Sequence, residues 1–152
     1  MNFKVVSRNI GKALLVNAFF MLLSVAISVA NGYDSGFSPL LISALITLVV
    51  GFFPFIFGHE VPDVKMKEGY VIIVSAWLLS FLAGALPYIM YGGEFTVINA
   101  WYESVSGYTT TGSTVLTDIE ALPESLLFWR SSTQFIGGLG VIVFLLLIFP
   151  ES

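Results

Sequence analysis

The sequence predicts an all-α integral membrane protein, in which a transmembrane hairpin is followed by a helix, a re-entrant loop and a second helix. Three observations predict it. Hydrophobic residues make up 57% of the chain and charged residues 11%, whereas a soluble domain carries about 25% charged residues to cover its surface. Four uncharged runs each approach the roughly 20 apolar residues that a ~30 Å hydrocarbon core demands of a helix. No run alternates with period two, which argues against a membrane β-barrel.

The first run, Ala13 to Tyr33, follows Lys4, Arg8 and Lys12 and resembles a secretory signal with a cleavage site at Ser28-Val29-Ala30. It is longer than the usual apolar core of such a signal, which favours a retained helix. The second run is Ser35 to Gly58 and the third Gly69 to Gly93. The fourth, Ser131 to Pro150, extends backward to Leu126 across Arg130. Residues 1–68 thus read as a two-helix hairpin with its loop. Residues 69–152 read as a span at 69–93, a short helix at 95–108, a polar strand at 109–114 and a span at 126–150.

Basic residues set the orientation. Of six Lys and Arg residues, all but Arg130 fall before the first span or between the second and third. The positive-inside rule places both segments, and the N-terminus, in the cytoplasm. Asp34, Glu94, Asp118, Glu120 and Glu124 then lie outside. The expected location is the inner (plasma) membrane, with the lipid bilayer as solvent. So few scattered basic residues make no nucleic-acid patch. The absence of cysteine removes disulfides, thiolate catalysis and thiolate metal sites.

"FTVINAWYESVSGY", Phe95 to Tyr108, is too short to cross and is flanked by spans that end on the same side. Such a segment enters partway and must return. Gly107 offers a place to stop, and "TTTGST", Thr109 to Thr114, makes the ascent. Irregular backbone at membrane depth is tolerated only where protein buries it or it lines a watery cavity. Threonine favours extended backbone and Gly112 accepts positive φ, so successive carbonyls can face one side. Carbonyl oxygens so placed replace the hydration shell of a monovalent cation. The backbone oxygens of Thr110, Thr111, Gly112 and Ser113 are the ligand candidates. Thr109 and Thr114 are candidates for filter support. So are Glu103 and Arg130, because a carboxylate within the short helix needs a partner.

"NAWYESVSGYTTTGSTVL", followed by "FWRSSTQFIGGLGVIV", resembles the first pore repeat of the Trk/Ktr/HKT superfamily of potassium uptake proteins. The resemblance implies a potassium-channel-like fold of four linked repeats, each contributing one filter strand with a key glycine, here Gly112. The two helices before Gly69 are similar to the extra N-terminal hairpin of the bacterial branch. The resemblance further implies transported potassium, a homodimer of the full-length protein and a cytoplasmic nucleotide-binding regulatory subunit. One filter strand cannot surround an ion, so the chain is expected to be a fragment, or else to assemble with equivalent subunits. No organic cofactor is expected, and no metal beyond the monovalent cation.

Remaining features read more plainly. "GGLG", Gly137 to Gly140, lacks the strand and lysine of a nucleotide loop and suits close helix packing. His59, with Glu60 and Asp63 nearby, has too few well-spaced ligands for a metal site. Trp101 and Trp129 suit the outer interface, and Trp77 the bilayer interior. No nucleophile–base pair is evident, which argues against an enzyme. The alternative function is a non-transporting membrane scaffold or assembly subunit in which the loop only packs.

Overall fold

The computed structural model describes residues 3–56, 66–92, 95–114 and 122–148. The described residues form five α-helices: α1 (Phe3–Ala30), α2 (Phe37–Phe52, continued by a 3-10 turn Phe53–Ile56), α3 (Met66–Tyr91), α4 (Val97–Tyr108) and α5 (Glu124–Ile148). Among them, α1, α2 with its 3-10 turn, and α3 are each long and apolar enough to cross a membrane. Helix α5 has 25 residues and α4 only 12. The basic loop around Lys65, His59 with its acidic neighbours, and the outer acids Glu94, Asp118 and Glu120 lie outside the described residues.

Helix α1 starts well before the apolar run, so Arg8 and Lys12 are helical. A helix keeps its backbone hydrogen-bonded internally, and its long basic side chains can reach away from the apolar surface. The Arg8 guanidinium lies 4.9 Å from the Phe55 ring centroid. Leu14, Ala18 and Met21 of α1 are buried in the core, so α1 is part of the packing. Where α1 crosses the end of α2, a Cβ on Gly11 would stand 2.6 Å from the Gly51 carbonyl oxygen. Only small residues let two backbones approach so closely.

The α1–α2 turn uses left-handed backbone at Gly32 (φ 76°) and Tyr33 (φ 60°). Asp34 then ties the hairpin to the start of α5. Its carboxylate accepts from the hydroxyls of Ser28 (2.7 Å) and Ser125 (2.6 Å) and from the amides of Gly36 (3.1 Å) and Ser125 (3.3 Å). Burial pushes this carboxyl upward. The hydrogen bonds from Ser125, Ser28 and Gly36 outweigh that effect and hold it below its ordinary 3.8.

Helix α3 ends before Gly92 (φ 80°). Phe95 stacks on Tyr88 with centroids 4.8 Å apart, and Thr96 caps α4 by accepting from the Asn99 amide at 3.2 Å. That cap sets the start of α4 at Val97 rather than Phe95. Trp129 differs from its expected place at the outer interface. It is fully buried and its indole N–H donates to the Gly84 carbonyl at 3.2 Å. A buried indole needs such an acceptor.

Candidate functional site

Helix α4 is polar on the face turned into the bundle. Glu103, Ser104, Ser106, Gly107 and Tyr108 are buried, while Val97, Ile98, Trp101 and Tyr102 are exposed. Ser104 donates to the Phe81 carbonyl of α3 at 2.6 Å. On the α5 side, a Cβ at Gly107 would overlap the Thr133 hydroxyl, which itself donates to the Arg130 carbonyl at 2.6 Å. The C-terminal, partially negative end of α4 is thereby fixed between two longer helices.

The chain does not leave α4 as a plain extended strand. The amides of Thr110 and Thr111 donate to the Gly107 and Ser106 carbonyls at 3.0 Å each, and that of Gly112 to Ser106 at 3.4 Å. These bonds satisfy carbonyls that a helix end leaves open. They require a tight turn, with Thr110 at φ 57° and Gly112 at φ 79°. Positive φ is routine for glycine but uncommon for a β-branched residue, so Thr110 is a strained position. Thr109 spans the turn, donating to the Val105 carbonyl at 2.7 Å and sharing a hydrogen bond with the Thr111 hydroxyl at 3.0 Å.

The four carbonyl candidates are not equivalent. The Ser113 oxygen accepts from the Ser106 hydroxyl at 2.7 Å, and the Gly112 oxygen from Arg130 Nη2 at 3.4 Å. No hydrogen bond from a described residue reaches the Thr110 or Thr111 carbonyl. Thr109 to Ser113 are exposed.

Glu103 and Arg130 are brought together across 27 positions. Arg130 Nε lies 3.3 Å from Glu103 Oε2, with the carboxylate side chain 1% exposed and the guanidinium side chain 15%. The Thr114 hydroxyl donates to the other Glu103 oxygen. Arg130 therefore holds a carbonyl of the turn and the acid that holds its end, which closes a loop through Glu103, Thr114, Gly112 and Arg130. Buried charge is tolerated when paired and hydrogen-bonded in this way.

The sequence reading missed a second anchor. Tyr108, the last residue of α4, has its hydroxyl bonded to Asn17 Oδ1 of α1, and Asn17 Nδ2 donates to Ser80 of α3 at 3.0 Å. A lone amide in the apolar run of α1 is the signal that could have found it.

A model of the TrkH family, described as cation transport protein, matches residues 39–151. The chain belongs to the TrkH family. Trk system potassium uptake protein TrkH of Salmonella typhimurium is 33% identical over 99% of this chain, a match that takes up 31% of that protein. Trk system potassium uptake protein TrkG of Escherichia coli is 43% identical over 58% of this chain and 18% of its own length. The crystal structure of the potassium transporter TrkH from Vibrio parahaemolyticus aligns with a TM-score of 0.89 and 29% identity, covering 99% of this chain and 32% of that one. The chain thus spans about a third of the length of the TrkH relatives it matches end to end.

Proposed function

We propose that this chain takes part in potassium uptake across the membrane, supplying one of four filter strands of a TrkH-type transporter. In this reading residues 1–68 are the N-terminal hairpin and 69–152 the first pore repeat, and the other repeats come from further chain or from equivalent subunits. Oxygens of Thr110, Thr111, Gly112 and Ser113 line the ion path, those of Thr110 and Thr111 receiving no hydrogen bond from a described residue. Thr109, Thr114, Glu103 and Arg130 hold the strand. The observation that carries the reading is a half-length helix ending in an exposed turn in which no hydrogen bond from a described residue reaches the Thr110 or Thr111 carbonyl.

The exposed apolar residues Val97, Ile98 and Trp101 of α4 suit burial against the remaining repeats. The basic residues of α1 and at the start of α3 support a cytoplasmic N-terminus and an inner (plasma) membrane location. A homodimer of the complete protein and a cytoplasmic nucleotide-binding regulatory subunit are the partners this reading implies.

Rubidium uptake by potassium-uptake-deficient cells tests it, with the complete protein and its Gly112→Ser variant. Gly112 sits at φ 79° with nothing within 4 Å of a built Cβ, so serine meets backbone strain of about 1–3 kcal/mol rather than a clash. Uptake or ion preference is expected to change by tenfold or more. Unchanged transport would favour the scaffold.

A further inference from the structure

We infer that Asn17 of α1 is a positioning residue for the filter, so that the N-terminal hairpin sets ion discrimination through one amide. This inference rests on the pore reading and names a regulator of the same site. Asn17 is 1% exposed and Tyr108 2% exposed. A buried amide needs partners for its donors and its acceptor, and Asn17 spends them on three elements. Nδ2 donates to Ala13 of its own helix at 2.9 Å and to Ser80 of α3 at 3.0 Å, and Oδ1 accepts from the Tyr108 hydroxyl at the foot of α4.

Tyr108 is held at three levels. Asn17 fixes its tip. Its ring fills the notch at Gly84, where a Cβ would stand 2.5 Å from Tyr108 Cε2 and 2.9 Å from its hydroxyl. Its main chain lies against α5 so closely that a Cβ at Gly137 would overlap the Tyr108 carbonyl. The peptide after Tyr108 begins the Thr109–Thr114 turn, and Thr110 in that turn holds φ 57°. A strained backbone keeps its conformation only while its surroundings over-determine it. Releasing the Tyr108 tip removes one restraint and lets the following carbonyls close in around a smaller ion. A site that fits the larger ion by holding its oxygens apart then admits the smaller one more readily.

The same geometry sets the size of the effect. Tyr108→Phe keeps the ring in its notch and deletes only the bond to Asn17. Asn17→Leu keeps the volume on α1 and deletes the same bond from the other side. One net hydrogen bond corresponds to roughly 3- to 10-fold in an equilibrium.

The test measures rubidium uptake and its inhibition by sodium for the complete assembled protein, with membrane abundance and thermal midpoint recorded for each variant. Tyr108→Phe and Asn17→Leu are each expected to narrow the rubidium-over-sodium preference about 3- to 10-fold, and the double variant no more than the larger single. Ser24→Ala is the control, because Ser24 is equally buried on α1 and bonds only its own Phe20 carbonyl at 2.9 Å. It should leave the preference unaltered. The inference is overturned if Asn17→Leu and Tyr108→Phe lower uptake only in proportion to abundance, or if Ser24→Ala shifts the preference as much. If Gly112→Ser is also silent, the pore reading itself fails and this inference with it, so the two failures are distinguishable.

Discussion

Replacing Glu103 by Gln removes a charge and almost no volume. The Thr114 hydroxyl keeps an oxygen to donate to, while Arg130 loses its counter-ion at 3.3 Å. Its guanidinium also lies 3.4 Å from the Gly112 oxygen, so an ion bound at that oxygen sits roughly 6 Å from an uncompensated positive charge. At an effective dielectric of ~20 the repulsion is about 2.8 kcal/mol, or roughly a hundredfold in ion affinity. The guanidinium side chain is 15% exposed, and solvent screening brings the expected loss nearer tenfold.

Arg130→Met has the opposite signature. It strands a carboxylate side chain that is 1% exposed, which costs about 3–5 kcal/mol of stability without adding positive charge near the ion. The assay is paired: the apparent KM for rubidium uptake, and the thermal midpoint of the detergent-purified complete protein. Glu103→Gln should raise KM about tenfold with a small loss of midpoint. Arg130→Met should lose midpoint first, and the double variant should recover KM towards the parent. If both singles move the two readouts in the same ratio, or Glu103→Gln leaves KM where it was, the electrostatic role of the pair is wrong.

Two further outcomes follow from the packing. Gly137→Ala drives a Cβ into the Tyr108 main chain, whereas Gly138 has nothing within 4 Å. Overpacking should cost Gly137→Ala about 1–3 kcal/mol and reduce uptake, with Gly138→Ala near the parent; equal effects would refute the contact. Asp34 has its carboxyl held below 3.8, so its contribution is fully present above that pH and is lost as pH falls through the lower folded value. Asp34→Asn should therefore lower the thermal midpoint at pH 7 by the equivalent of about 1–3 kcal/mol and progressively less in acid. A gap that stays constant between pH 7 and pH 2 would show that the hydrogen bonds to Asp34 do not need its charge.

The membrane class, the long helices and the half-length α4 were legible along the chain, because hydropathy over some 20 residues is a local property matched to bilayer thickness. The departure from helix at Thr109 was legible for the same reason: glycine and threonine state their backbone preferences in place. The bend at Thr110 was not, since its left-handed φ arises from amides turning back to cap Ser106 and Gly107.

Other features depended on residues far apart in sequence. Glu103 and Arg130 could be suspected as partners, but only packing of α4 on α5 sets them 3.3 Å apart and adds Thr114 and the Gly112 oxygen. Trp129 looked interfacial from its place in the run and is buried, because the Gly84 carbonyl accepts its N–H. Asn17 meets Tyr108 across 91 positions. Sequence alone determined which runs are long and apolar enough to cross a bilayer and where the backbone breaks from helix, since solvent transfer and torsional preference act on neighbouring residues. Tertiary structure decided which oxygens stay free and what braces them, because a hydrogen bond or an ion pair is decided by distances of a few ångströms that only the packed helices fix.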